Sequence, residues 1–208
     1  MGFVPEGVRE AEGRSCGGSA SKGAGERVVT VFPQLIFGYH GCEREVAEKV
    51  VLRKDLLHPS ENRWDWLGTG AYFWEGAPER AMDWAKRNCK DPAVLGAVIG
   101  LGNCMNLMDV DSQVLLQRTY QAFKARQTQL PANSKTCHDL DCSVVNSTCE
   151  YLASQGHVFD TVRGAFPEGD PVFDDSQILT KTHVQICVRN LESIVAYFLP
   201  YATSEVER

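Results

Sequence analysis

No apolar run in this chain approaches the ~20 residues a membrane-crossing helix needs, and no Cys-x-x-Cys pair occurs. The N-terminal stretch MGFVPEGVREAEGRSCGG has no apolar h-region, so no secretory signal peptide is expected. Basic charge is scarce too: Lys and Arg number 21 against 27 Asp and Glu, a net charge of −6. That deficit argues against a general nucleic-acid binder, whose footprint is basic, but leaves room for a local basic groove. Eight cysteines are present, yet the chain is long enough to build a core without disulfides. These absences point to a reduced, cytoplasmic protein with no membrane partner.

What is there suits a globular fold. The chain has 208 residues, 43% hydrophobic and 23% charged, which fits one domain with an appendage. Residues 1–27 hold seven glycines and no periodicity and read as a disordered Gly/Ser-rich tail. A single domain is expected over 28–208. Within it, Val28–Cys42 reads as one or two strands, with Ile36, Gly38 and His40 on one face and Leu35, Phe37 and Tyr39 on the other. Arg44–Arg53 reads as a helix with Val46, Ala47, Val50 and Val51 inward. Pro78 sits at the first turn of a second helix reaching Asn88, with Ala81, Trp84 and Ala85 as its inner face. Strands are expected over Ala93–Gly102, Met105–Val110, Phe159–Arg163, His183–Arg189 and Ser193–Leu199, and helices over Ser112–Arg126 and Ser143–Ser154. Strands before, between and after helices imply an α+β fold.

Two charged stretches stand apart. Residues 112–138 carry Arg118, Lys124, Arg126 and Lys135 and no acid. These cations do not share a helical face, so solvated surface is the plain reading and a phosphate-bearing partner the sharper one. Ala165–Leu179 is a Pro-, Gly- and Asp-rich loop holding Glu168, Asp170, Asp174 and Asp175; such loops often border sites, and many only connect.

Three motifs carry candidate chemistry. In Gly38-Tyr39-His40-Gly41-Cys42, a strand-end histidine between glycines leaves room for a flat ligand; a core-bonded histidine is the plain alternative. In Trp66-Leu67-Gly68-Thr69-Gly70-Ala71-Tyr72-Phe73-Trp74, glycines precede aromatics that can stack, or that simply fill a core. In Thr182–Asn190, Val184, Ile186 and Val188 share one face and His183, Gln185, Cys187 and Arg189 the other.

Together these motifs resemble the ADP-ribosyltransferase superfamily, in the His-Tyr-Glu branch that includes diphtheria toxin and the poly(ADP-ribose) polymerases. The likeness rests on Tyr39-His40-Gly41, Gly68-x-Gly70-x-Tyr72-Phe73, Ala81-x-x-Trp84-Ala85 and the late-strand Gln185, and its order and spacing are similar to small bacterial, toxin-like members. The resemblance implies a split core of two packed, mostly antiparallel sheets with flanking helices. It also implies NAD as co-substrate and transfer of ADP-ribose to an acceptor of unknown kind: protein, nucleic acid or small molecule. His40 would bond the adenosine-side ribose, the Gly41 backbone the carboxamide, and Tyr72 would stack on the nicotinamide ring, with Gly70 beside them. Arg189 and Arg163 are candidates for the diphosphate, or ordinary ion-pair partners.

The third position departs from the family. Its glutamate is replaced by Gln185, which can accept a hydroxyl bond but carries no charge. A mono-ADP-ribosyltransferase follows, rather than a polymer-forming enzyme; an NAD or ADP-ribose binding module and an NAD glycohydrolase are the alternatives. An acid from 168–175 entering the site is a further option. Two other chemistries are weaker. Cys137-His138-x-x-x-Cys142 fits no standard zinc spacing, so no metal is expected. Cys42 and His40 lie near one another in sequence without an orienting acid. His58, His138 and His157 read as surface residues.

Overall fold

In the computed structural model, residues 34–200 are described, apart from 61, 63, 64, 127, 128 and 135. The expected tail over 1–27 lies outside the described residues, as do 28–33 and 201–208. The elements run β1 (Leu35–Glu43), α1 (Arg44–Val51), β2 (Ala71–Glu75), α2 (Pro78–Asn88), β3 (Pro92–Gly100), β4 (Cys104–Asn106), α3 (Val110–Arg126), α4 (Asp139–Ser154), β5 (Thr161–Phe166), β6 (His183–Val188) and β7 (Ile194–Phe198). The architecture is α+β.

Seven strands form one sheet in the order β4-β5-β6-β2-β1-β3-β7. All neighbours are antiparallel except β4 and β5. Two packed sheets therefore do not form. The physical reason is a narrow join: β1 and β2 pair only at Gly38–Glu75 and Tyr39–Trp74. Those two pairs keep a single ladder, and beyond them the strands part.

Alternation along β1 behaves as its pattern requires. Ile36 and Cys42 enter a core with Phe73, Leu95, Ile99, Ile186 and Val188, while Leu35 and Phe37 are exposed. Helix α1 closes this core with Ala47 and Val50. Val46, expected inward, is exposed; it lies at the rim of the stripe centred between 47 and 50. The opposite face carries a second core of Leu67, Met105, Val145, Cys149, Val162 and Cys187. There α4 presents Val144, Val145, Thr148 and Cys149, all buried, with Leu152 half-buried.

Helix α2 lies against β1 because position 41 has no side chain. A Cβ on Gly41 would strike the carbonyl oxygen of Ala81, with the Ala85 amide close behind. Pro78 opens the helix, and Ala81 and Ala85 are buried as expected. Trp84 is instead half-buried and faces Trp74, ring centres 6.4 Å apart.

Three boundaries differ from expectation for local reasons. The strand expected over Met105–Val110 stops at Asn106, whose side chain bonds Asp109 and the Met108 amide and turns the chain into α3. The strand expected over Phe159–Arg163 runs from Thr161 to Phe166. Asp160 is taken up by Asn103 and Asn190, whereas Ala165 and Phe166 pair with Val184 and His183. Val188 ends β6, and the Arg189 amide turns to the Asp160 carbonyl. No described helix is long and apolar enough to cross a membrane.

Candidate functional site

Where β1 and β2 diverge, the His40 side chain fills the gap. Continuing the register would pair residue 40 with 73 and residue 41 with 72. Instead the His40 Nδ1 lies 2.8 Å from the Tyr72 carbonyl oxygen. A carbonyl only accepts, so Nδ1 carries the hydrogen. Burial lowers the His40 pKa against that bond, which keeps the ring neutral at neutral pH. Nε2 is then a bare acceptor.

Behind this gap lies a cleft of about 650 Å³. His40, Gly41, Tyr72 and Gln185 all line it. The β1 lip supplies the first two, β2 supplies Tyr72, Phe73 and Trp74, and β6 supplies Gln185. Residues 145 positions apart in the chain thus border one space because β6 pairs with β2 at Trp74–Gln185.

The Tyr72 hydroxyl is not free for chemistry. It donates to the Gly68 carbonyl at 2.7 Å and accepts from the Leu67 amide at 2.9 Å. Burial, above all, raises its pKa. The staple fixes the turn at Gly68, whose φ of +82° is natural to glycine. What Tyr72 offers the cleft is its ring face.

Gln185 is oriented from both ends. Its Oε1 accepts from the Trp66 indole at 3.2 Å, and its Nε2 lies 2.9 Å from His183 Nε2. His183 Nδ1 is 2.8 Å from the Lys181 carbonyl oxygen and so carries the hydrogen. His183 Nε2 is therefore bare and takes its bond from the amide. The remaining lone pair of Oε1 and the second N–H are left for a ligand. Trp66 is itself held between rings, 3.9 Å from His138 and 4.2 Å from Phe166, centre to centre.

Other expected residues fall elsewhere. Arg189 is not in the cleft: its guanidinium donates to Asn146 Oδ1 at 2.8 Å and the Thr69 carbonyl at 3.2 Å. It shares a strand face with Gln185, but four residues on, about 13 Å along the strand, that face lies under α4. Gly70 is also outside the cleft lining and packs against Cys187 and Val188. Arg163 is in a bidentate pair with Glu75, at 2.6 and 3.0 Å. Burial pushes the Cys42 thiol up to about 12, which does not suit a nucleophile.

Several cleft residues had no sequence signal beyond ordinary surface polarity. His138, expected at the surface, is half-buried and lines the cleft with Ser134 and Thr136. Arg80 and Arg87 reach it from α2. From the acidic loop only Glu168 lines it, bonded to Arg80 at 2.6 Å. Asp65 is the other lining carboxylate among the described residues; it is buried, and desolvation raises its pKa. No described group of three or more His, Cys, Asp or Glu could hold a metal ion.

The two site imidazoles make stability depend on pH. Desolvation holds both His40 and His183 below their ordinary value of 6.5. The unfolded chain therefore takes up protons first as pH falls. Stability is fully present above 6.5 and is lost as pH drops through the folded values. Denaturant titrations between about pH 7 and pH 5 should show a falling unfolding free energy. A flat or rising one contradicts two buried neutral rings.

No model of a known protein family matches this chain, and no curated protein matches it.

Proposed function

We propose that the chain is an NAD-dependent mono-ADP-ribosyltransferase with an ADP-ribosyltransferase-like core. The observation that carries this reading is the convergence of His40, Gly41, Tyr72 and Gln185 on one cleft. The chemistry at each position suits a folded dinucleotide. The bare Nε2 of His40 accepts from a ribose hydroxyl of the adenosine side. The Tyr72 ring supports the nicotinamide ring, and the Gly41 backbone meets its carboxamide. Gln185 Oε1 accepts from the 2′-hydroxyl of the nicotinamide-side ribose. Holding both ends bends the dinucleotide and presents the reacting carbon.

In the reaction, the bond between ribose C1′ and the pyridinium nitrogen breaks, and its electron pair leaves with neutral nicotinamide. The ribosyl oxocarbenium ion is then attacked at C1′ by an acceptor oxygen or nitrogen, which loses a proton. Gln185 orients the ribose but brings no charge. Asp65, buried beside the cleft and without a cation partner among the described residues, supplies the negative field. The neutral carboxamide also favours a second reading, a module that binds NAD or ADP-ribose without cleaving it.

Incubation with nicotinamide-labelled NAD separates these readings. The transferase releases nicotinamide and leaves a modified acceptor. Release without a modified acceptor marks a glycohydrolase. Retained binding with no release above buffer marks the module. Neither binding nor release refutes the reading.

A further inference from the structure

The face that α2 turns to the cleft has a composition the catalytic reading does not use. Arg80, Trp84 and Arg87 stand at i, i+4 and i+7, one stripe of the helix, and all three line the cleft. Two guanidinium groups thus flank an aromatic plane.

Arg80 is the unusual member. Its Nη2 donates to Glu168 at 2.6 Å. Its Nε and Nη1 are shielded from water and have no partner, and the indole nitrogen of the adjacent Trp74 is in the same state. Shielded donors without acceptors are costly, each about 1–3 kcal/mol. An oxygen-rich anion with fork geometry relieves that cost better than one carboxylate. Glu168, on the 167–182 loop, is itself nearly half exposed, with 45% of its side chain accessible, so its carboxylate can be exchanged. Arg87 bonds its Nε to the Asp83 carbonyl at 3.1 Å, which points the rest of the group along the stripe.

We propose that the Arg80–Trp84–Arg87 face of α2 is an anion subsite that takes the diphosphate of a nucleotide in exchange for Glu168. The inference rests on the dinucleotide reading of the cleft and replaces Arg163 and Arg189 as the candidate phosphate partners. The diphosphate lies along the helix, bridging the two guanidinium groups, while Trp84 covers the adjoining ring or ribose. Glu168 acts as a place-holder that keeps the free cleft from trapping stray anions.

Calorimetric titration of the full chain with ADP-ribose, adenosine and inorganic pyrophosphate tests this. Arg87→Ala, an exposed change, should weaken ADP-ribose and pyrophosphate about tenfold and leave adenosine unchanged. Arg80→Lys keeps the charge but loses the fork and should weaken them at least as much. Glu168→Gln removes the competing carboxylate and should tighten both several-fold. Pyrophosphate should compete with ADP-ribose. The proposal is overturned if neither anion binds the wild type, if adenosine shares the losses, if Glu168→Gln does not tighten binding, or if pyrophosphate and ADP-ribose bind together. Nicotinamide release, read in parallel, keeps the two ideas apart. Turnover with unaltered anion affinities in both arginine variants removes the subsite and leaves the transferase reading standing. Arginine-dependent anion binding without nicotinamide release does the reverse.

Discussion

Replacing Tyr72 by alanine should reduce nicotinamide release from NAD to the buffer background, whereas replacing it by phenylalanine should leave most of the release intact. The two substitutions divide the residue's roles. The ring faces the cleft, and the hydroxyl staples Leu67 and Gly68. Phenylalanine keeps the ring and strands a buried amide and carbonyl, a loss of about 1–3 kcal/mol in stability. Alanine loses both roles, and roughly 2–4 kcal/mol is expected for a half-buried ring. Release is therefore compared at a temperature where both variants remain folded by circular dichroism. Equal release from the wild type and the folded alanine variant would remove Tyr72 from the site. Equal loss in both variants would mean that the staple, not the ring, is what matters.

The second large effect is expected at position 185. In the wild type the amide of Gln185 donates to a bare His183 Nε2, whose other nitrogen is committed to Lys181. A carboxylate oxygen in place of that amide faces the same bare nitrogen. The clash is relieved when His183 takes a proton at Nε2 and donates instead. Gln185→Glu should therefore raise the His183 pKa from its present lowered position. It also places a negative charge where the oxocarbenium ion forms, so nicotinamide release should rise about tenfold or more. Release by the variant should be greatest below the new His183 pKa and decline as pH climbs through it, a limb the wild type lacks. The His183 ring signals by NMR report the same titration. An unchanged rate together with an unchanged pH profile would take position 185 away from the ribose.

The local pattern of the chain was informative where one element decides the outcome. Pro78 and the Ala81–Ala85 spacing mark α2 to the residue, and the alternation of Ile36 and Cys42 against Leu35 and Phe37 marks the faces of β1. Both follow from periodicity, which a single segment carries. Position along a face is a different matter. Gln185 and Arg189 read alike by alternation, yet one meets the cleft and the other meets Asn146 of α4. That distinction depends on where β2 ends against β6, which no segment encodes alone.

The same limit explains Arg80 and His138. A helix with alanines on one side and cations on the other reads as an ordinary solvated helix, and only the parting of β1 from β2 gives Arg80 a cleft to face. The Arg80-x-x-x-Trp84-x-x-Arg87 stripe was the available signal. His138 becomes a site residue through Trp66, 72 positions earlier, on which its ring stacks. The acidic loop was partly legible: of its four acids, Glu168 lines the cleft and Asp170, Asp174 and Asp175 do not.

The account turns on a dinucleotide bent between the β1 lip and β6. A crystal structure of the full chain with an NAD analogue whose nicotinamide–ribose bond cannot break examines this directly. The nicotinamide ring should lie on the Tyr72 ring, a hydroxyl of the far ribose should meet His40 Nε2, and the near ribose should meet Gln185. An analogue bound away from the cleft, or a cleft left empty at saturating concentration, would contradict it.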